Sequence, residues 1–257
     1  MLATRQEQMS PTPSEQLMEV AEQLAVLAAR FDRSRDSRAI FTTAYVLLTR
    51  KLARALTTDV FYDPSWIADL ARTFGRYYIE AIQAFDAGHL PKGAWATVFT
   101  ALQQRRTSVL EDLVLGMTAH IVNDLPQALC EVGMVRPDGT TRIRDFHAMN
   151  DVLGTAIEEI QDAIEDRYDG SLRFLDHMLE SYDELLTNYG LRTGRAAAWY
   201  NAVRLLDKDS HDVTLEAISR SPEITLNTLL NPPVRSLRLL LRGGRLLSRC
   251  SRHWPDS

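Results

Sequence analysis

Cysteine is scarce in this chain. The two present, Cys130 and Cys250, make no disulfide framework. No run reaches the roughly 18 uninterrupted apolar residues that a membrane-spanning helix needs. The opening residues, Met1 to Ser10, are polar and hold no apolar core of the signal-peptide kind, so the cytoplasm is the expected compartment. There is no Gly-rich phosphate loop, no nucleophile elbow and no Cys-x-x-Cys pair, which removes the sequence basis for nucleotide, serine-hydrolase or thiol-redox chemistry. Strand-like alternation of useful length, internal repeats and low-complexity tracts are missing too. Cation excess is lacking: net charge is −5, and an acidic body is a poor binder of nucleic acid.

What is present reads as helix. Apolar residues at 45% and charged residues at 25% are those of an ordinary globular protein. Apolar positions recur at helical spacing over 14–31, 38–56, 64–86, 92–104 and 109–133. A long tract follows over 145–189, with a break expected at Asp169-Gly170 and a stop at Gly190. Shorter helices are expected over 193–207 and 212–220. Pro126 removes one backbone donor, which predicts a kink just beyond Asp124. The expected architecture is an all-α, single-domain multi-helix bundle. It divides into a flexible lead over 1–13, a helical catalytic or binding domain over 14–233, and a basic amphipathic helix and tail over 234–257.

Six histidines are spread over the chain, and two of them form the same pattern. His120 stands four residues before Asp124 inside a strongly apolar stretch, and His147 stands four before Asp151. That spacing puts each pair on one helix face. An imidazole and a carboxylate in apolar surroundings need a metal, a catalytic role or each other. Asn123, Gln127 and Asn150 add polar groups nearby and are candidate substrate-binding residues. Arg195 and Trp199 are further candidates, as an anion clamp and a stacking surface. Tyr45, Trp66, Tyr77, Tyr78 and Trp95 are candidates for an apolar pocket or for plain core. Asp145 looks like the N-cap of the His147 helix.

The segment His120-Ile-Val-Asn-Asp124-Leu-Pro-Gln127-Ala-Leu-Cys130 resembles the His-x-x-x-Asp-x-x-Gln-Pro-x-His segment of the zinc-dependent phospholipase C and P1 nuclease superfamily. The resemblance implies an all-α phosphoesterase. His120 and Asp124 would then bind one zinc site and His147 and Asp151 another, with Cys130 where that superfamily has a histidine. Gly116 to Pro126 also resembles an uncharacterised actinobacterial all-helical family. Asn150, Gly154 and Glu158 are similar to the magnesium motif of class I terpene synthases, which implies diphosphate binding.

From Val234 onward the charge balance is +5, leaving −10 on the rest. Arg235, Arg238, Arg242, Arg245, Arg249 and Arg252 recur every three or four residues, one basic stripe on a helix, interrupted by Gly243-Gly244. It suits an anionic membrane surface, an acidic partner, or simply the acidic body of the chain itself. Three functional classes follow. The first is a small-molecule enzyme, a hydrolase of a phosphoester or related ester that uses zinc or another divalent metal. The second is a metal-free cyclase or isomerase of a biosynthetic pathway, with no cofactor and His/Asp acid–base catalysis. The third is a non-catalytic helical binding protein.

Overall fold

The computed structural model describes residues 10–91, 93–105, 107–168, 188–231, 242–248, 250 and 252–255. Among them all regular structure is helical apart from isolated bridge residues, Val135 paired with Thr141 and, near the end of the chain, Arg252. The all-α expectation holds. Helix α1 (Pro13–Arg33) starts at a capping box, in which Thr12 Oγ1 accepts from the Glu15 amide and the Glu15 carboxylate accepts from the Thr12 amide. Its stripe of Leu17, Val20, Ala21, Leu24, Ala28 and Phe31 is buried. It packs against α2 (Arg38–Ala55) and α3 (Pro64–Asp86). An ion pair of 2.9 Å from Arg50 to Glu22 fits an antiparallel α1–α2 hairpin. Asp63 caps α3 by accepting from the Trp66 amide, with Pro64 at the first helical position.

Helix α4 (Trp95–Gln103) is followed by α5 (Val109–Thr118), then by a π-helical turn over Ala119–Asp124, then by α6 (Leu125–Val132). Pro126 explains the turn. It cannot donate to the carbonyl four residues back, and the Leu125 amide reaches to His120 O, five residues back. The expected kink is thus a widened turn that contains the His120–Asp124 pair. The turn contacts α3, α5, α6 and the two later helices α9 (Asn188–Leu206) and α10 (His211–Leu230), so it occupies the middle of the bundle.

Several sequence expectations need correction. The 145–189 tract breaks earlier, between α7 (Ile143–Gly154) and α8 (Ile157–Tyr168). The expected break at Asp169-Gly170 lies outside the described residues, as does His177. Gly190 is no stop; it sits in the first turn of α9, where packing of α9 on α6 outweighs a glycine penalty of about 1 kcal/mol. Helix α10 runs on to Leu230 through Pro222. Asp145 does not cap its own helix, which begins two residues earlier. It is buried, and it accepts from the Tyr62 and Asp63 amides and from Arg136, tying α7 to the start of α3.

Of the arginine stripe, Arg235, Arg238 and Arg249 lie outside the described residues. Arg242 is exposed, whereas Arg245 pairs with buried Glu111 at 2.7 Å and Arg252 with buried Asp112 at 2.9 Å. These two arginines therefore face the acidic body. Burial pushes the Asp112 carboxyl up to about 6, against the pull of Arg252 and Thr107. A value above the ordinary 3.8 means that the Asp112 contribution to stability is complete below pH 3.8 and is lost as pH rises through 6. Relative to Asp112→Asn, the wild type should gain on the order of 1–3 kcal/mol between pH 7 and pH 4. Urea unfolding at both pH values checks this; parallel pH profiles would show that Asp112 does not titrate there. Among the described residues no helix is long and apolar enough to cross a membrane.

Candidate functional site

The π-helical turn presents His120 and Asp124 side by side, 3% and 1% exposed. His120 Nδ1 lies 3.0 Å from Asp124 Oδ2. That oxygen also accepts from Trp95 Nε1 at 2.8 Å, and Oδ1 accepts from Asn123 Nδ2 at 2.7 Å. A carboxylate that serves two other N–H donors is an acceptor, so the proton of the imidazole sits on Nδ1. Nε2 is then a lone-pair nitrogen, and it is buried with no hydrogen-bond partner among the described residues. Burial holds the His120 imidazole below its ordinary value, against the pull of Asp124. The ring is neutral at pH 7. Phe74 stacks on it at 3.5 Å between centroids, and Tyr45 meets it edge-on at 4.5 Å.

His120 forms part of the wall of a cavity of about 70 Å³ between α2, α3, α7, α9 and the π turn. Phe41, Leu48, Leu52, Leu70, Phe74, Met117 and Leu153 make most of that wall. Its polar members are few: Tyr45, Thr49, His120 and Arg195. Thr49 Oγ1 is already used on the Tyr45 carbonyl. The Tyr45 hydroxyl has no hydrogen-bond partner among the described residues, and burial holds it protonated. A second, larger groove of about 710 Å³ is lined by Asp124, Asn123 and Gln127 together with Tyr77, Glu80 and Ser219.

A family described as one of unknown function, DUF5995, matches residues 17–232, most of the chain and every residue of this site. The chain belongs to the DUF5995 family. No curated protein and no solved structure matches it.

In this DUF5995 chain the two His/Asp pairs do not meet. The buried face of α7 carries Phe146, Met149, Asn150 and Leu153, which turns His147 and Asp151 outward, where both are exposed and Asp151 pairs with Arg192. Cys130 lies on α6, its thiol on the carbonyl of Ala202 at 3.3 Å. The five expected metal ligands, His120, Asp124, His147, Asp151 and Cys130, are thus dispersed. Among the described residues no group of three or more His, Cys, Asp or Glu side chains could hold a metal ion. Both oxygens of Asp124 already accept from N–H groups, and His120 Nε2 is buried with no second ligand beside it among the described residues, so this donor set does not fit zinc.

Of the other expected residues, Asn123, Gln127 and Arg195 line one or the other cavity, whereas Asn150 and Trp199 line neither. Asn123 and Gln127 border the larger groove; Gln127 donates to the Asn123 carbonyl, and Asn123 also accepts from Ser219. Asn150 is buried and accepts from Arg195 Nε at 2.6 Å. Trp199 packs on Phe146 at 4.9 Å without lining the apolar cavity. Sequence reasoning singled out Trp95 only as a pocket or core aromatic and passed over Phe74. An indole N–H 29 residues away from its acceptor leaves no local signal, although Phe74 at helical spacing from Leu70 and Tyr78 marks a core-facing stripe.

Proposed function

We propose that this protein is a metal-free proton-transfer enzyme acting on a small apolar substrate, a cyclase or isomerase by reaction class, with His120 as general base. One observation carries the reading: the His120 side chain forms part of the wall of an apolar cavity, its buried Nε2 has no hydrogen-bond partner among the described residues, and its Nδ1 is held by Asp124. The nitrogen takes a proton from one position of the substrate, and Asp124 stabilises the imidazolium. The same nitrogen returns the proton at a second position. The balance is an isomerisation or a ring closure without change of oxidation level. Tyr45, kept protonated by burial, supplies a hydrogen-bond donor on the same wall. Exclusion of water strengthens each of these interactions.

The test is solvent exchange. Purified protein is incubated in deuterium oxide with a small-molecule extract, and deuterium gain is read by mass spectrometry. The wild type should label at least one compound, and chelator should leave the rate unchanged. His120→Gln should lose about 100-fold or more, the usual worth of a positioned base. Equal labelling by His120→Gln would sink the base assignment. No labelling by the wild type would make the cavity a binding site without chemistry.

A further inference from the structure

Arg195 is 3% exposed, on α9, in the wall of the same cavity as His120. Its contacts are neutral. Nε donates to Asn150 Oδ1 at 2.6 Å, and Nη2 donates to the Phe146 carbonyl at 3.3 Å and touches Met149 Sδ at 3.5 Å. The guanidinium lies 4.2 Å from the Phe146 ring centroid. Nη1 has no hydrogen-bond partner among the described residues, and no carboxylate pairs with this side chain.

That sets Arg195 apart. Arg38, Arg136, Arg142, Arg245 and Arg252 also have side chains at most 15% exposed, and each holds a carboxylate. A buried charge without a counter-ion is costly. Burial alone lowers the Arg195 value to about 9, which still leaves it a cation at neutral pH. Asn150 and Phe146 hold the guanidinium in a fixed orientation, and Nη1 remains available. The rest of the wall is apolar, apart from Tyr45, Thr49 and His120.

We infer that the substrate carries a carboxylate, bound by Arg195, on a short apolar body that fills the cavity beside His120. The inference rests on the proton-transfer reading of the same site. One guanidinium in an apolar wall suits a monoanion. An apolar cavity of about 150 Å³ accepts benzene. On that scale 70 Å³ takes a body of about three carbons. A neighbouring cavity of about 50 Å³ shares Met117, Ile121 and Leu191 with this wall, which gives a longer or branched body somewhere to extend.

Binding of isobutyrate and 4-methylpentanoate, against their uncharged amides isobutyramide and 4-methylpentanamide, tests this on the full chain. Thermal unfolding at matched ionic strength and amide chemical-shift titration are the readouts. At least one acid should bind saturably, about tenfold or more tighter than its amide, a difference worth about 1.4 kcal/mol. Arg195→Met should abolish the preference and Arg195→Lys should keep part of it. Equal binding of acid and amide, no binding of either, or an unchanged preference in Arg195→Met would overturn the carboxylate. If Arg195→Met fails to fold, the acid–amide comparison on the wild type and Arg195→Lys decides. The deuterium experiment reads the base without any carboxylate probe, so failure of one is separable from failure of the other.

Discussion

Replacing Asp124 by alanine should cost about 3–5 kcal/mol of stability, the range for stranding several buried donors at once. The carboxylate accepts from Trp95 Nε1, Asn123 Nδ2 and His120 Nδ1, and none of these donor atoms has another hydrogen-bond acceptor among the described residues. All four residues are buried, so water does not substitute cheaply. Asp124→Asn retains one acceptor oxygen and should lose roughly half as much. It should still abolish proton transfer, because an amide no longer fixes the proton of the imidazole on Nδ1. Urea denaturation gives the first result and deuterium labelling the second. A loss below about 1 kcal/mol for Asp124→Ala would mean that the three donors are satisfied elsewhere.

Gly116→Ala should be nearly as damaging, by overpacking. A Cβ at Gly116 would stand 2.5 Å from Phe41 Cγ and 2.7 Å from Phe41 Cβ. Contact that close to the α2 backbone is not relieved by swinging a ring aside. Helices α2 and α5 must separate, or Phe41 must move toward Tyr78 and His120, its neighbours at 5.1 and 5.6 Å. Overpacking costs about 1–3 kcal/mol or more, and the helix propensity gained returns less than about 1 kcal/mol. Phe41 also lines the apolar cavity, so the variant should lose isobutyrate binding together with stability. Gly243→Ala is the control: its Cβ meets nothing within 4 Å, and it should be neutral or slightly stabilising. A Gly116→Ala protein as stable as the wild type would show that the α2–α5 contact yields easily.

Much of the fold was readable because local chemistry marks it. The Asp63-Pro64 start of α3, the Gly133 end of α6 and the Pro126 distortion each rest on residues within one turn of the feature. The all-helical class follows from periodicity. The misplaced features depend on tertiary context instead. Gly190 reads as a terminator until α6 is laid against it, and Asp145 reads as a cap until Tyr62 and Asp63 approach it.

The site was half legible. His120 and Asp124 stand out as ionisable groups in an apolar run. That the second pair turns outward was also available, since Phe146, Met149 and Leu153 mark the inner face of α7 and leave His147 and Asp151 off it. The isolation of Arg195 was not available. Whether a guanidinium meets a carboxylate is decided by which helices end up side by side, and spacing along one helix does not record it.

The clamp between Glu111–Asp112 and Arg245–Arg252 has an evolutionary consequence. The region shared with the DUF5995 family ends at residue 232, yet two anions buried within it are neutralised by cations that lie beyond that limit. Positions 111 and 112 are therefore not free to drift alone. A relative whose tail diverges is expected to carry uncharged residues at 111 and 112 or to recruit cations from elsewhere, so the four positions should vary together.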